Sequence, residues 1–136
     1  MRLMALDIGE RRIGIAISES GVLATPHSVL QRQSKKEDFN RLARLVDQLK
    51  IERVIIGLPY SLSGAEVMGP QARRVKRYAE ALGQVISVPC EYFDESYSTV
   101  EAAHYLAATG RKKIPIDAAA AAVILQNYLD STGHRP

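Results

Sequence analysis

Four acidic residues lie where the apolar patterns of the sequence begin or end. Asp7 closes a short apolar run near the amino terminus, Asp94 and Glu95 directly follow another run, and Asp117 precedes a long helical pattern. Sites in open α/β sheets form beyond the carboxyl ends of strands, so we expect Asp7 and the 94–95 pair to share one sheet edge. Asp117 joins them if the last helix packs beside the first strand.

Carboxylate oxygens suit hard cations such as Mg²⁺ and Mn²⁺. Two such ions roughly 4 Å apart can stabilise the attacking and leaving oxygens of a phosphodiester displacement. Clustered carboxylates also raise one another's pKa unless a cation offsets their repulsion, so a cluster of acids favours metal binding. If these acids meet in space, they would form a site suited to a divalent cation and to a phosphodiester displacement.

Each acid also has a simpler interpretation. Asp117 has the form of a helix N-cap, and Asp94 and Glu95 have that of ordinary polar residues after a strand. Asp7 is harder to explain in this way, because an acid within an apolar run is desolvated unless it has a partner. Glu10 is interpreted as a solvated residue rather than a ligand.

The elements that must position these acids follow from hydrophobic periodicity and capping signals. Pro26 falls inside the third predicted strand, which indicates an edge position or a bulge. The predicted strands cover residues 3–8, 12–18, 22–30, 53–57 and 85–93. The predicted helices begin at the capping box of residues 34–37, at Met68 (ending near Gly83), at the capping box of residues 98–101 (ending near Thr109), and at Asp117.

The connections between these elements predict the sheet. The first three strands are joined by short turns and should be antiparallel, whereas the later strands are reached through helices and should be parallel. The expected fold class is α/β, with a mixed five-stranded sheet flanked by helices on both faces. A length of 136 residues predicts a single domain over residues 1–136.

Composition limits the location and the partners of the chain. No apolar run approaches the roughly 20 residues that cross a bilayer, and Asp7 and Glu10 interrupt the amino-terminal run, so a cytoplasmic location is expected. Cys90 is the only cysteine and is interpreted as a buried structural thiol. The spacing of the three histidines matches no zinc pattern.

A mild basic excess accompanies the acids. Eighteen Lys and Arg face fifteen Asp and Glu, a net charge of +3, which alone indicates nucleic-acid binding only weakly. Contacts to phosphate make binding salt-dependent without reading sequence. The cations assigned to nucleic-acid binding fall in the first hairpin, in the second predicted helix and in the loop before Asp117: Arg11, Arg12, Arg73, Arg74, Arg77, Arg111, Lys112 and Lys113.

Four motifs in order resemble those of the YqgF family, also called RuvX, whose members are assigned as Holliday-junction resolvases and pre-16S rRNA nucleases. The resemblance covers nearly the whole chain. Ser96 stands where the family usually has Arg, and Leu62-Ser63 replaces a common Met-Asp, which leaves substrate preference open. The matching segments are residues 7–18, Gly57-Leu58-Pro59 with Gly64, Asp94-Glu95 with Ser98-Thr99 and Ala102, and 117–126.

The resemblance implies an RNase H-like fold and a divalent-metal-dependent nuclease using Mg²⁺ or Mn²⁺. By position, the implied acids are Asp7, one or both of Asp94 and Glu95, and Asp117. We expect Asp7, Glu95 and Asp117 to be catalytic, and these three with Asp94 to be the metal ligands. Maturation of the 5′ end of pre-16S rRNA is the expected role, with RNA favoured over branched DNA. A DNA-junction resolvase, a nucleic-acid-binding module without catalysis and an ATPase of the actin and sugar-kinase type stay as alternatives, and homodimerisation stays open.

Overall fold

The computed structural model describes residues 1–58, 69–94 and 114–132. Its elements follow the predicted order of three strands, a helix, a strand, a helix, a strand and a helix. The strands are β1 (Leu3–Ile8), β2 (Arg12–Ser18), β3 (Thr25–Gln31), β4 (Arg53–Leu58) and β5 (Cys90–Asp94). The helices are α1 (Lys35–Gln48), α2 (Pro70–Gly83) and α3 (Ile116–Thr132).

The five strands form one mixed sheet in the order β3-β2-β1-β4-β5. β1, β2 and β3 pair antiparallel, whereas β1, β4 and β5 run parallel, so the predicted topology is confirmed. The carboxyl ends of the three parallel strands therefore lie at one edge of the sheet. Pro26 lies on the edge strand β3, next to a register shift, as its position in the sequence predicted.

Each face of the sheet is buried beneath different helices, because alternate residues of a strand point to opposite faces. Met4, Leu6 and Ile8 of β1 pack in the core that holds α1 and α2. Leu3 and Ala5 pack in the core that holds α3. We call these faces the α1–α2 side and the α3 side. Alanines 118–122 are all buried, and their small side chains let α3 pack close to the sheet.

The N-cap predicted before α1 is present. Ser34 is the N-cap, and its hydroxyl oxygen accepts a hydrogen bond from the backbone N–H of Glu37 at 3.2 Å. This bond satisfies one of the N–H groups that lack a partner at the start of a helix. The buried face of α1 then follows the predicted helical spacing through Phe39, Leu42 and Val46.

Two strands begin later than predicted. The predicted third strand begins at Val22, but the side chain of Gln126 on α3 accepts from the Ala24 N–H and donates to the Val22 carbonyl, so this segment is bonded to α3 instead. The predicted fifth strand begins at Val85, but the backbone N–H groups of Val85 and Ile86 both donate to Leu82 at the end of α2. Backbone groups engaged in this way cannot join a ladder, so the expected bounds 22–30 and 85–93 were wrong at their starts.

The structure also tests the predictions for the last helix and for the single cysteine. α3 begins at Ile116 rather than at Asp117, and the Ala119 N–H donates to the Pro115 carbonyl at 3.0 Å. Asp117 is therefore not the N-cap that its local pattern suggested. Cys90 is half-buried against the α1–α2 core, and burial raises the pKa of its thiol, as expected for a structural cysteine.

Some expectations fall outside the described residues. They include the helix expected over residues 98–109. They also include the segment 59–68, which contains the predicted start of the second helix at Met68. Within the described helices, none is both long and apolar enough to span a membrane.

Candidate active site

Asp7 and Asp117 meet across Gly14 of β2. Asp7 pairs with Gly14 in the β1–β2 register, and paired residues of neighbouring strands share a face. That face is the α3 side, because Leu3 and Ala5 alternate with Asp7 along β1. Gly14 is itself in contact with the backbone of Asp117 at the start of α3. The fold therefore brings residues 7 and 117, which are 110 positions apart in the sequence, to the same place.

The contact at Gly14 leaves no room for a side chain. A Cβ atom at this position would overlap the backbone carbonyl of Asp117. Only glycine permits so close an approach of a helix terminus to a strand. Gly14 thus sets the depth at which α3 begins, and with it the position of the Asp117 carboxylate relative to Asp7.

A shallow cleft of about 220 Å³ opens beside Asp117, and the β1–β2 turn forms its other wall. Arg12 Nε donates to Asp117 Oδ2 at 2.9 Å, with 54% of the arginine side chain and 30% of the aspartate side chain exposed. Asp7 is half-buried and also has interactions of its own. The lining of the cleft is Gly9, Glu10, Arg11, Arg12 and Asp117.

Asp94 lies at the same edge of the sheet but on the other face. It ends β5 and pairs with Leu58 of β4, whose side chain belongs to the α1–α2 core. β4 separates β5 from β1, so Asp94 is two strands away from Asp7 as well as on the opposite side. Of the two acids predicted after this strand, Asp94 is thus placed away from Asp7, and Glu95 lies outside the described residues.

Two of the four predicted metal ligands are therefore brought together in the described part of the chain. Within residues 1–58, 69–94 and 114–132, no group of three or more His, Cys, Asp or Glu side chains is arranged to hold a metal ion. A pair of carboxylates still fits Mg²⁺, which is commonly held by one or two carboxylates together with waters and substrate phosphates. The donor set that Asp7 and Asp117 supply is of this kind.

The predicted nucleic-acid-binding cations divide into three groups. Arg11 and Arg12 are exposed and line the cleft beside Asp117. The three arginines predicted on the second helix are exposed on α2, on the other side of the sheet. The cations at positions 111–113 lie outside the described residues. The first group is thus placed next to the acids, while the second borders a different cleft.

A buried acid that the sequence analysis did not select supports the β1–β2 turn. The side chain of Asp38 on α1 is only 1% exposed and accepts hydrogen bonds from the Gln33 N–H at 2.9 Å and the Tyr78 hydroxyl at 3.1 Å. Arg32 Nε lies 3.8 Å from Asp38, and Arg32 Nη1 donates to the Gly9 carbonyl at 2.7 Å. Asp38 therefore anchors the arginine that holds the turn two residues after Asp7.

Tyr78 completes this network from α2. Burial, and then the negative charge of Asp38, raises the pKa of the Tyr78 hydroxyl, so it stays protonated and donates at neutral pH. The Arg32 guanidinium lies over the Tyr78 ring, 4.4 Å from its centroid. The available sequence signal was Asp38 itself, an acid four residues before Leu42 on the buried face of α1.

Comparison with protein-family models and curated proteins identifies relatives over nearly the full length of the chain. The model described as RuvX, Holliday junction resolvase, matches residues 1–131. A protein of Thermoanaerobacter pseudethanolicus is 39% identical over 96% of this chain and 97% of its own length. A protein of Desulforudis audaxviator is 41% identical over 96% of this chain and 95% of its own length. Both names provisionally assign a pre-16S rRNA nuclease.

Solved structures share the fold at low sequence identity. RuvC of Thermus thermophilus, bound to a Holliday junction substrate, has a TM-score of 0.63 and 15% identity and aligns over 98% of this chain and 97% of its own. The fowlpox virus Holliday junction resolvase has a TM-score of 0.58 and 10% identity, over 96% and 99% of the two chains. These neighbours confirm the expected RNase H-like architecture.

Proposed function

Because this chain belongs to the RuvX family, also called YqgF, we propose that it is a nuclease that hydrolyses phosphodiester bonds of RNA in the maturation of the 5′ end of pre-16S rRNA. The observation that carries the proposal is the meeting of Asp7 and Asp117 on the α3 side, at the carboxyl end of β1. A nucleic-acid substrate and hydrolase chemistry agree with the names of the family and of the curated relatives.

We assign Asp7, Glu95 and Asp117 as the catalytic residues that hold Mg²⁺ or Mn²⁺. Such a cation, when bound, supplies an activated water and neutralises charge on the phosphate. Asp7 is fixed by strand pairing, and Asp117 by the contact at Gly14. Glu95 is a better candidate for the third ligand than Asp94, because the register of β5 assigns Asp94 to the α1–α2 side.

Arg12 has two roles in this proposal. In the described structure its guanidinium balances the Asp117 carboxylate. Its exposure, together with that of Arg11, also makes it available to a substrate phosphate beside the carboxylates. Arg73, Arg74 and Arg77 on α2, with the loop cations Arg111, Lys112 and Lys113, provide further phosphate contacts without reading sequence. Because bacterial rRNA is matured in the cytoplasm, a role in that maturation supports the cytoplasmic location expected from the sequence.

One set of cleavage assays tests the function. RNA carrying the precursor 5′ extension of 16S rRNA, unrelated single-stranded RNA and a four-way DNA junction are compared in Mn²⁺, in Mg²⁺ and in EDTA. We expect precursor RNA to be cleaved fastest, and all cleavage to stop in EDTA because the carboxylates alone cannot activate water. Preferential cleavage of the junction would assign the chain as a DNA resolvase instead. Binding of nucleic acid without cleavage of any substrate would indicate a binding module.

Arg12→Gln separates the structural role of the ion pair from its effect on metal binding. Both side chains are substantially exposed, so the free energy of unfolding should fall by no more than about 1 kcal/mol without metal. Mn²⁺ should bind several-fold more tightly, because a neighbouring positive charge is removed and Asp117 loses a competing partner. Denaturant unfolding and the Mn²⁺ dependence of Tm measure the two effects. Arg44→Gln, an exposed change on α1, is the control, and weaker Mn²⁺ binding by Arg12→Gln would contradict the assignment of Asp117.

A further inference from the structure

A second cleft lies on the α1–α2 side of the β1–β2 turn. Its volume is about 200 Å³, and its floor is made by the apolar residues Ile8 and Val75 and the ring of Tyr78. Cations from three different parts of the chain surround this floor: Arg32 after β3, Lys35 at the start of α1, and Arg74 and Arg77 on α2. Glu10 is the only acid in the described lining, so the lining of the cleft carries a net positive charge.

Arg32 is held rigidly in this cleft. Its guanidinium donates to the Gly9 carbonyl at 2.7 Å and lies over the ring of Tyr78. Behind it, the buried carboxylate of Asp38 lies 3.8 Å from Arg32 Nε. A planar guanidinium fixed by a ring, a carbonyl and a buried carboxylate has lost its side-chain freedom on folding, so less entropy is lost when it contacts an anion.

The other cations are available to a ligand. Arg74 lies 3.9 Å from Glu10, but 64% and 83% of these side chains are exposed, so the pair is weak and readily exchanged. Lys35 and Arg77 are exposed, and in the described part of the chain neither lies within ion-pair distance of a carboxylate. An anion in the cleft would therefore meet unpaired positive charge from two helices.

The cleft adjoins the candidate active site. Gly9 and Glu10 line both the cleft beside Asp117 and the cleft beside Arg32. The β1–β2 turn is thus the wall between them, with the carboxylates on the α3 side and the cation cluster on the α1–α2 side. Phosphates are regularly spaced along a nucleic-acid strand. If one phosphate of a strand lies at the carboxylates, the next phosphates along the strand lie close to this wall.

We infer that the cleft lined by Arg32, Lys35, Arg74 and Arg77 binds a second phosphodiester of the strand whose cleavage is proposed above. The inference rests on the proposed function for the identity of the strand. The two clefts lie on opposite sides of the turn, so a strand that occupies both must bend over Gly9. A duplex is too stiff to bend sharply around a single turn of the protein, whereas a single strand bends freely. The substrate class is therefore nucleic acid that is unpaired at the cleavage point.

The double variant Lys35→Gln/Arg77→Gln tests this cleft, and Lys36→Gln/Lys76→Gln is its matched control. Lys36 and Lys76 are the exposed neighbours on the same two helices, but they do not line the cleft. Binding of a fluorescein-labelled 12-nucleotide RNA is measured by anisotropy in EDTA over a series of salt concentrations. We expect the affinity of the cleft variant for the RNA to fall roughly tenfold at low salt. The slope of log K against log salt concentration should become shallower by about 0.7, the contribution of one phosphate contact on a single strand. The affinity and the salt slope of the control variant should stay close to those of wild type.

Three further measurements complete the test. A 12-base-pair duplex should bind wild type more weakly than the single strand and should be insensitive to the cleft variant. Inorganic phosphate at millimolar concentration should compete poorly, since a free ion lacks the contacts of the neighbouring phosphates. In Mn²⁺, the cleft variant should raise KM for the single strand and leave kcat within about twofold.

The outcomes separate this inference from the proposed function. If wild type cleaves RNA but the cleft variant binds the single strand as the control does, the second phosphate site is wrong and the nuclease assignment stands. If inorganic phosphate binds as tightly as the RNA, the cleft is a site for a free ion and the inference is wrong. If wild type cleaves no nucleic acid, the proposed function is wrong, while the anisotropy series still decides whether the cleft binds a strand.

Discussion

Asp7→Asn should reduce RNA cleavage at least about 100-fold while leaving RNA binding in EDTA nearly unchanged. The amide removes one negative charge and one ligand oxygen from the carboxylate pair, and charge neutralisation at the phosphate accounts for several kcal/mol of transition-state stabilisation in metal-dependent hydrolysis. The fold should be retained, because asparagine has nearly the same shape and Asp7 is only half-buried. Single-turnover cleavage with saturating protein measures the loss without interference from product release.

Unfolding of the same variant gives a second readout that does not depend on activity. Without metal, the free energy of unfolding of Asp7→Asn should differ little from that of wild type, because asparagine keeps the shape of the half-buried side chain and an oxygen that accepts hydrogen bonds. The increase in Tm that Mn²⁺ causes in wild type should be lost, since that increase reflects binding to the folded state. Asp47→Asn, an exposed change on α1, should retain both cleavage and the Mn²⁺ effect. Wild-type cleavage by Asp7→Asn would exclude Asp7 as a ligand.

Gly14→Ala should lower the free energy of unfolding more than any other substitution that adds a single methyl group to a described glycine. The new Cβ would overlap the Asp117 carbonyl, which is backbone and cannot rotate away as a side chain can. α3 must therefore shift relative to β2, and overpacking of this kind lowers the free energy of unfolding by about 1–3 kcal/mol or more. Denaturant unfolding in EDTA measures this loss.

The same substitution should also impair cleavage, because the displaced helix carries Asp117 away from Asp7. In the fraction that stays folded, Mn²⁺ should bind more weakly than to wild type. Gly83→Ala provides the matched control: nothing lies within 4 Å of a Cβ at that helical position, so this variant should be neutral or slightly stabilised and fully active. Equal stability of Gly14→Ala and Gly83→Ala would show that α3 does not approach β2 as described.

The hairpin of β1 and β2 could be predicted from the sequence because two short apolar runs and the turn-like residues between them agree with each other. The start of β5 could not, because Val85 and Ile86 have strand-like side chains while their N–H groups are taken by the end of α2. Local pattern describes what a side chain prefers, but it does not show which backbone groups are already bonded. The late start of β3 has the same origin, in the bonds that Gln126 makes to residues 22 and 24.

The candidate site was predictable in part. Asp7 and Asp117 stood out because both lie at ends of elements, and the topology then brought them to one face. The sequence could not assign Asp94 to the opposite face, because this depends on the register between β4 and β5. Arg32 and Asp38 were not selected at all, since an arginine after a strand and an acid in the first turn of a helix are common surface features. Their importance comes from the burial of Asp38, which bonds to Tyr78 of α2 and lies beside Arg32, and local sequence does not show these contacts.

Pro26 on the edge strand limits how two copies of this chain could assemble. An exposed edge is a template for pairing with another strand, and continuous pairing requires an unbroken row of N–H donors. β3 lacks one donor at Pro26 and shifts register at the same point. Extension of the sheet from β3 of one protomer into a partner is thereby disfavoured, and the same interruption protects the monomer against edge-to-edge aggregation. A homodimer should consequently not be held by a ladder between two β3 strands.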